Sequence, residues 1–206
     1  MELAAIGRAL RPGGALTLVG DAGQQVDETA WFAGWAAALS EVGCASAVAA
    51  QLKGSRRCPP PVYALAQALR NRTALPASTS AALRQAHSSE RKLRRELAQW
   101  LRAHPSGQSV VVGYTERCAR RLHRLLPADL QPRLCLDPAR SLVGRVAVTT
   151  VAHVRGLEAA RVAIPDVSPD GWPATEPARR ALYVALTRAT EKVWLGTVGQ
   201  WSAVLP

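Results

Sequence analysis

Several features that mark particular classes of protein are scarce in this sequence. The chain of 206 residues has no run of about 18 consecutive apolar residues, which excludes an ordinary transmembrane helix. Its start lacks a basic segment followed by an apolar one, so we expect no secretory signal. The four cysteines (Cys44, Cys58, Cys118 and Cys135) are too scattered for a zinc or redox motif. Scattered thiols without a signal are typical of a reducing cytosol, and we expect a cytoplasmic protein.

Lysine is also scarce, and no lysine stands in the sequence context of a phosphate-binding loop. None of Lys53, Lys92 and Lys192 follows a glycine and precedes Ser or Thr, as a phosphate loop requires. The formal net charge is nevertheless +11. Residues 51–125 hold fifteen Lys and Arg against three Glu, giving +12. This basic segment predicts a polyanionic partner, although a GC-rich coding sequence also produces many arginines.

The pattern of apolar residues predicts strands that alternate with helices. Five apolar runs predict buried strands, at residues 15–19, 109–112, 145–151, 161–164 and 193–195. Helical patterns cover residues 2–10, 27–39, 59–70, 90–103, 115–126 and 176–189. Loops are predicted at residues 71–89 and 168–175. The alternation predicts an α/β fold, a parallel sheet with helices on both faces.

The first candidate site follows the predicted strand at 15–19. Gly20, Asp21 and Gln24 then stand at the carboxyl edge of a sheet, where open α/β sheets bind ligands. Asp21 is a candidate to hold a metal-bound water, and Gln24 to bind a phosphate oxygen or an attacking water. The alternative is that Asp21 only caps a turn.

The second candidate site is a pair of arginines before a helix. Arg56 and Arg57 precede the predicted helix at 59–70, and the planar guanidinium is suited to binding an anion. The alternative is a solvated basic turn.

The third candidate site is the segment 148–158, Val-Thr-Thr-Val-Ala-His-Val-Arg-Gly-Leu-Glu. Threonine hydroxyls and backbone amides suit a phosphodiester, and Gly156 lets the backbone approach closely. Taken alone, His153 is interpreted as a surface or packing histidine.

The fourth candidate site is the segment 179–189, Arg-Arg-Ala-Leu-Tyr-Val-Ala-Leu-Thr-Arg-Ala. Its apolar residues form one helical face, and Arg188 near the helix end is predicted to project to a neighbouring site. Nucleotide motors use an arginine from an adjacent lobe in this way. The alternative is a packed amphipathic helix with a solvated arginine.

Together, the order and spacing of these segments resemble the later motifs of the UvrD/Rep-type superfamily 1 helicases, over essentially the whole chain. That family has Gly-Asp-x-x-Gln, a Tyr-Arg before a helix, Thr-x-x-x-x-Lys-Gly-Leu-Glu, and Leu-Tyr-Val-Ala-x-Thr-Arg-Ala. The resemblance implies a RecA-like lobe of the P-loop NTPase type without its own phosphate loop. Residues 1–26 would be the last helix and strand of a first motor lobe, and residues 27–206 the C-terminal lobe.

The resemblance also implies residue roles. Gln24 would sense the γ-phosphate and couple it to DNA, Arg57 would contact the γ-phosphate with Arg56 in the tyrosine's place, and Arg188 would be the arginine finger. These three are the catalytic candidates. The residues expected to bind ATP are Gln24, Arg57, Gly156, Glu158 and Arg188. Those expected to bind nucleic acid are Thr150, His153, Arg155 and Trp31. No residue is assigned to a metal.

The sequence departs from the family's pattern at several positions. Arg155 replaces the usual lysine, Ala152 a frequent histidine, and Ala159 the usual phenylalanine. Asp27 and Thr29 stand where base-stacking aromatics are usual. Trp31 or Trp35 would substitute for these aromatics, and the alternative is that both tryptophans belong to the core.

The implied function is that of the C-terminal part of an ATP-dependent DNA helicase or translocase. ATP and Mg²⁺ would bind only together with an N-terminal lobe that carries the phosphate loop and the magnesium carboxylates, so this part alone would not hydrolyse ATP. The partner would be single-stranded or partly duplex DNA. Two other hypotheses remain: a nucleic-acid-binding or regulatory remnant without ATPase activity, and a protein-interaction lobe of a transcription or repair complex.

Overall fold

The chain folds into two compact units, residues 1–53 and residues 54–206. A computed structural model describes residues 2–25, 32–44, 46–52, 54–75, 84–137, 139 and 141–206. The predicted assignment of residues 1–26 and 27–206 to two motor lobes stays a prediction.

The second unit is built on a six-stranded parallel sheet. Its strands are β1 (Arg84–His87), β2 (Ser109–Gly113), β3 (Arg133–Leu134), β4 (Val146–Thr150), β5 (Ala159–Ile164) and β6 (Ala189–Val198). They lie in the order β1-β6-β5-β2-β4-β3. Every neighbouring pair is parallel, with Ser109 opposite Val146 and Ala159 opposite Ala189.

Helices cover both faces of this sheet, as the alternating pattern predicts. All five residues of β2 and all five of β4 are buried, although neighbouring side chains on a strand point to opposite faces. The described residues of this unit form the helices α3 (Pro60–Asn71), α4 (Glu90–Arg102), α5 (Glu116–Leu125), α6 (Val151–Val154) and α7 (Glu176–Leu186). Apolar residues of α4 and α5 pack with β2, β4, β5 and β6 in one core cluster.

Side-chain caps fix where three of these helices begin. Ser89, Thr115 and Thr175 accept hydrogen bonds from the backbone nitrogens of Lys92, Cys118 and Ala178, in each case three residues further on. Such caps satisfy amide groups that have no partner inside the helix. The predicted starts at residues 90, 115 and 176 therefore agree with the structure to within one residue.

The structure corrects the prediction of a loop over residues 71–89. Residues 84–87 form the edge strand β1, whose partner is β6. The sequence Arg-Gln-Ala-His has little apolar character. The indole nitrogen of Trp194 donates to the side-chain oxygen of Gln85 at 2.8 Å, so a contact distant in sequence helps to place this polar strand. The short strand β3 was also not predicted.

The predicted buried strand at 15–19 is wrong. These residues are irregular, and Val19 is 86% exposed. A strand needs a neighbour for its backbone hydrogen bonds, and no strand lies among the described residues of the first unit. An apolar run without such a neighbour does not form a ladder.

The first unit contains two short helices that pack against each other, α1 (Glu2–Ala9) and α2 (Trp35–Val42). A side chain at Gly7 would clash with the backbone of Val42, so glycine permits this close approach. Helix α2 begins after Gly34, which has a φ of 109°. The predicted helix over 27–39 is present from Trp35 onward, and residues 32–34 are not helical. Residues 27–31 lie outside the described ones.

Candidate functional site

Arg57, Glu158 and Arg188 come together at the amino edge of the sheet. Glu158 directly precedes β5 and Arg188 directly precedes β6, and these strands are neighbours. Their first residues, Ala159 and Ala189, lie opposite each other. The backbone nitrogen of Ala159 donates to the carbonyl of Arg188 at 3.0 Å. Strand register therefore juxtaposes residues from the third and fourth candidate motifs.

Arg57 reaches this edge from the turn before α3. The hydroxyl of Ser55 accepts hydrogen bonds from the backbone nitrogens of Arg57, at 3.2 Å, and of Cys58, at 2.9 Å. The Nη1 atom of Arg57 donates to Oε1 of Glu158 at 2.9 Å. Partial burial lowers the pKa of Arg57, whereas the hydrogen bond to Glu158 favours the charged form. The pKa of Arg57 is raised as a result. Its side chain remains 33% exposed and carries a full charge.

Arg188 occupies the short turn between α7 and β6 and is 3% exposed. Its Nε donates to the carbonyl of Val184, and its Nη2 to the hydroxyl of Thr187, both at 3.1 Å. Burial lowers the pKa of Arg188, and the positive charge of Arg57 lowers it further. The predicted helix to residue 189 ends instead at Leu186, because Ala189 already belongs to the sheet. The side chain therefore folds back onto its own helix end rather than projecting outward.

The cluster carries more positive than negative charge. Arg57 and Arg188 share the neighbourhood of one carboxylate, that of Glu158, which is 55% exposed. Two guanidinium groups beside a partly solvated carboxylate are suited to binding an additional anion. Chemically, the site fits a phosphate group more closely than a neutral ligand.

Two of the residues that are predicted to bind nucleic acid, one at the end of β4 and one in α6, are largely buried. Thr150 is 8% exposed and His153 is 5% exposed. Nδ1 of His153 lies 2.9 Å from the carbonyl of Cys135, which also accepts from the hydroxyl of Thr149 at 2.6 Å. This placement agrees with the packing interpretation of His153. The roles of Thr150 and His153 in nucleic-acid binding stay predictions.

Arg155 and Gly156 are exposed residues of the same segment. Gly156 has a φ of 82°, in the left-handed region that favours glycine, and nothing lies within 4 Å of where a Cβ would be. The backbone is thus open to a ligand at this turn. The roles of Arg155 and Gly156 also stay predictions.

Gln24 lies in the first unit, in a short 3₁₀ turn over residues Ala22–Gln24. Asp21 caps this turn, because its Oδ1 accepts from the backbone nitrogen of Gly23 at 2.9 Å. Nε2 of Gln24 donates to Oδ2 of the same carboxylate at 3.2 Å. The turn-capping interpretation of Asp21 is therefore confirmed, and the role of Gln24 stays a prediction.

The two tryptophan candidates differ in what the structure describes. Trp31 lies outside the described residues. Trp35 is 40% exposed and packs edge-on against Phe32, with ring centroids 5.3 Å apart. A buried core position for Trp35 is thus wrong.

The sequence interpretation missed several residues that shape the site. Ser55 holds the turn of Arg57, and Sγ of Cys58 lies 3.6 Å from the carbonyl of Thr187, next to Arg188. The signal for Ser55 was its position in a turn, two residues before Arg57, where a hydroxyl binds nearby amides. No comparable local signal marks Cys58, whose contact joins residues 129 positions apart.

Neither a cluster of metal-binding side chains nor a membrane-spanning helix occurs among the described residues. No group of three or more His, Cys, Asp or Glu in that part of the chain is arranged to hold a metal ion. Likewise, none of the helices described is long and apolar enough to cross a membrane.

Comparisons with known proteins concern the fold and part of the sequence. Residues 145–195 match the family model of the UvrD-like helicase C-terminal domain, a range that includes Glu158 and Arg188 but not Arg57. A comparison with curated proteins gives no match. Among solved structures, the chain is similar to the C-terminal domain of a possible DNA helicase from Lactobacillus plantarum WCFS1. The TM-score is 0.60 at 20% identity, over 73% of this chain and 92% of that one. The protein therefore has the fold of a helicase C-terminal RecA-like lobe and, over residues 145–195, resembles the UvrD-like helicase C-terminal domain.

Proposed function

We propose that this chain is the C-terminal part of an ATP-dependent DNA helicase or translocase of the UvrD type. In this proposal it supplies arginines to the γ-phosphate of ATP and part of the track for single-stranded DNA. A lobe that carries the phosphate loop and the carboxylates for Mg²⁺ supplies the remainder of the ATP site. The cytoplasmic location is part of the proposal, supported by four free cysteines.

The observation that carries the proposal is the cluster of Arg57, Glu158 and Arg188. Two guanidiniums lie near one carboxylate at the edge where β5 and β6 begin. Phosphoryl transfer develops charge on the oxygens of the γ-phosphate, and fixed cations near those oxygens stabilise the transition state. Arg57 and Arg188 are the candidates for such cations.

The different exposures of the two arginines support different tasks. Arg57 is partly exposed and its carboxylate partner is in contact with water, so a phosphate oxygen can take the place of Glu158. Arg188 is buried, and its guanidinium donates hydrogen bonds to the carbonyl of Val184 and the hydroxyl of Thr187. We therefore assign direct contact with the γ-phosphate to Arg57. Arg188 acts as the arginine finger only after its guanidinium turns outward. In its buried position it contributes positive electrostatic potential to the phosphate site without touching the phosphate.

A second candidate function, nucleic-acid binding without ATP hydrolysis, is favoured by the burial of Arg188. At 3% exposure this guanidinium already has partners in its own lobe. Under this alternative, Arg188 stabilises the junction of α7 and β6 and has no part in turnover.

ATP turnover in a two-lobe motor separates the two functions. The chain is combined with an N-terminal motor lobe that carries the Gly-Lys-Ser/Thr and Asp-Glu-x-x-Gln motifs, and DNA-stimulated turnover is measured. Under the proposal, Arg188→Ala lowers kcat by about 10³-fold or more, the range for arginine fingers, and largely spares DNA binding.

Arg180→Ala is the matched control, because Arg180 lies on the α7 surface and pairs with Glu176 at 3.3 Å. Melting curves of both variants report any loss of folding. Equal kinetic losses for the two variants, or normal turnover of a folded Arg188→Ala, would contradict the proposed role. A chain that binds DNA but never stimulates turnover of the complementary lobe would support the second candidate.

A further inference from the structure

A groove along helix α4 is lined by basic side chains. Its volume is about 580 Å³. The basic residues that line it are Arg91, Lys92, Arg94, Arg95 and Arg102, and its floor includes Ala98 and Pro127. None of the described residues that line it is acidic. Helix α4 begins just after the carboxyl end of β1, so its first turns lie toward the edge opposite the Arg57–Glu158–Arg188 cluster.

Three of these arginines have no acidic partner within the described part of the chain. Arg91, Arg94 and Arg95 are exposed, and none forms an ion pair or a side-chain hydrogen bond with described residues. Lys92 has only a distant partner, Glu96 at 4.0 Å, whereas Arg102 pairs with Asp129 at 2.9 Å. The first two turns of the helix therefore present unneutralised guanidiniums to solvent.

The stability of the fold does not explain why these three arginines lie together. Arg91 stands three and four residues before Arg94 and Arg95, on one face of the helix, where like charges lower helix stability. The helix is already stabilised by the Ser89 cap and by the buried Leu93, Leu97 and Leu101. A helix that only covered the sheet would be more stable with charges of both signs on this face.

The length and the lining of the groove indicate what kind of ligand it binds. Residues 91 and 102 are separated by about 16 Å along the helix axis, which is the rise of about five nucleotides of one strand. A single small anion does not need a row of cations of that length. Among the described residues of the lining there is no aromatic side chain on which a base would stack, so the contact is with phosphates rather than bases.

We propose that the α4 groove is a second contact surface for nucleic acid, one that binds the phosphate backbone of DNA without reading its sequence. It is separate from Thr150, His153 and Arg155, the residues of the third motif that are predicted to bind nucleic acid. The charge argument does not depend on ATP hydrolysis. A failure of this inference therefore leaves the proposed function intact.

The test is DNA binding by the 206-residue protein and two triple variants of equal net charge. The groove variant is Arg91→Gln with Arg94→Gln and Arg95→Gln. The matched control is Arg117→Gln with Arg120→Gln and Arg124→Gln, which removes three exposed arginines from the neighbouring helix α5. Fluorescence anisotropy with a single strand of about 20 nucleotides is recorded between about 50 and 200 mM salt.

We expect the groove variant to bind about tenfold or more weakly at the lower salt concentration, with a salt slope smaller by about 2, since each phosphate contact on a single strand contributes about 0.7. The control keeps most of the affinity and slope, and melting curves show that both variants are folded. Equal losses in the two variants would overturn the inference, because net charge alone would explain them. Unchanged DNA binding combined with lost binding to poly-glutamate would also overturn it, in favour of an acidic protein partner.

Discussion

The guanidinium of Arg57 and the carboxylate of Glu158 form an ion pair at 2.9 Å, although they are 101 residues apart in the chain. Both side chains are in contact with water, at 33% and 55% exposure. Ion pairs of this kind contribute at most about 1 kcal/mol, because water and ions screen them. Under the proposed function, an incoming phosphate would displace Glu158 from Arg57 at little cost, and the ion pair would hold the guanidinium in place until then.

Removing the carboxylate should strengthen anion binding. Glu158→Gln leaves Arg57 and Arg188 without their negative neighbour, so the isolated chain should bind tripolyphosphate up to about fivefold more tightly, the equivalent of about 1 kcal/mol. Isothermal titration calorimetry measures this affinity. Glu116→Gln is the control, because it frees Arg120 on α5 with the same change in charge. The same gain in both variants would mean that net charge, rather than the cluster, binds the anion.

The isolated chain should hydrolyse ATP at no more than the background rate. Its lysines lack the phosphate-loop context, and the arginines of the cluster stabilise a transition state only when the nucleotide and Mg²⁺ are positioned. A coupled assay of the purified 206-residue protein, with and without DNA, checks this. Turnover at helicase-like rates would contradict the two-lobe proposal.

Two adjacent threonines should behave differently on substitution by valine. The hydroxyl of Thr149 is fully buried and donates to the carbonyl of Cys135, so Thr149→Val should lower the free energy of unfolding by about 1–3 kcal/mol. Thr150 makes no side-chain hydrogen bond among the described residues, and Thr150→Val should change stability little. Urea denaturation of both variants measures the difference. If Thr150 contacts nucleic acid as predicted, its variant alone loses DNA affinity while staying folded.

Stability should fall in mildly acidic solution because of His87. The ring is 3% exposed and stacks on Trp194, and burial lowers the pKa of His87 below 6.5 despite the nearby carboxylate of Glu96. Between that lowered pKa and pH 6.5 the unfolded chain binds a proton that the folded chain does not. The free energy of unfolding therefore decreases as the pH falls through this window, by at most about 1.4 kcal/mol per pH unit.

Urea denaturation at about pH 7.5 and about pH 5.5 tests this sign. The wild-type chain should lose more stability on acidification than His87→Phe, which keeps an aromatic ring beside Trp194. His123→Gln is the control, because this ring lies beside the Pro132 carbonyl in a different part of the unit. An equal loss in wild type and His87→Phe would show that His87 is not responsible.

Helix starts and central strands were predictable because their signals are local. The caps at Ser89 and Thr175 act over three residues, and the valines of β2 form an apolar run that a buried parallel strand requires. The edge strand β1 gave no such signal, since its residues are mostly polar and its pairing with β6 joins segments about a hundred positions apart. Conversely, residues 15–19 have strand character but no neighbouring strand among the described residues of their unit.

The sequence by itself determined the alternation of helices and strands, the order of the four motifs and the excess of arginine. Each of these follows from local periodicity, from composition or from short motifs, which do not depend on distant contacts. Only the tertiary structure decided that Arg57 meets Glu158, that Arg188 is buried, and that three arginines of α4 face solvent without an acidic partner among the described residues. These outcomes depend on strand order and register, above all on Ala159 opposite Ala189, because parallel pairing joins residues that no local pattern connects.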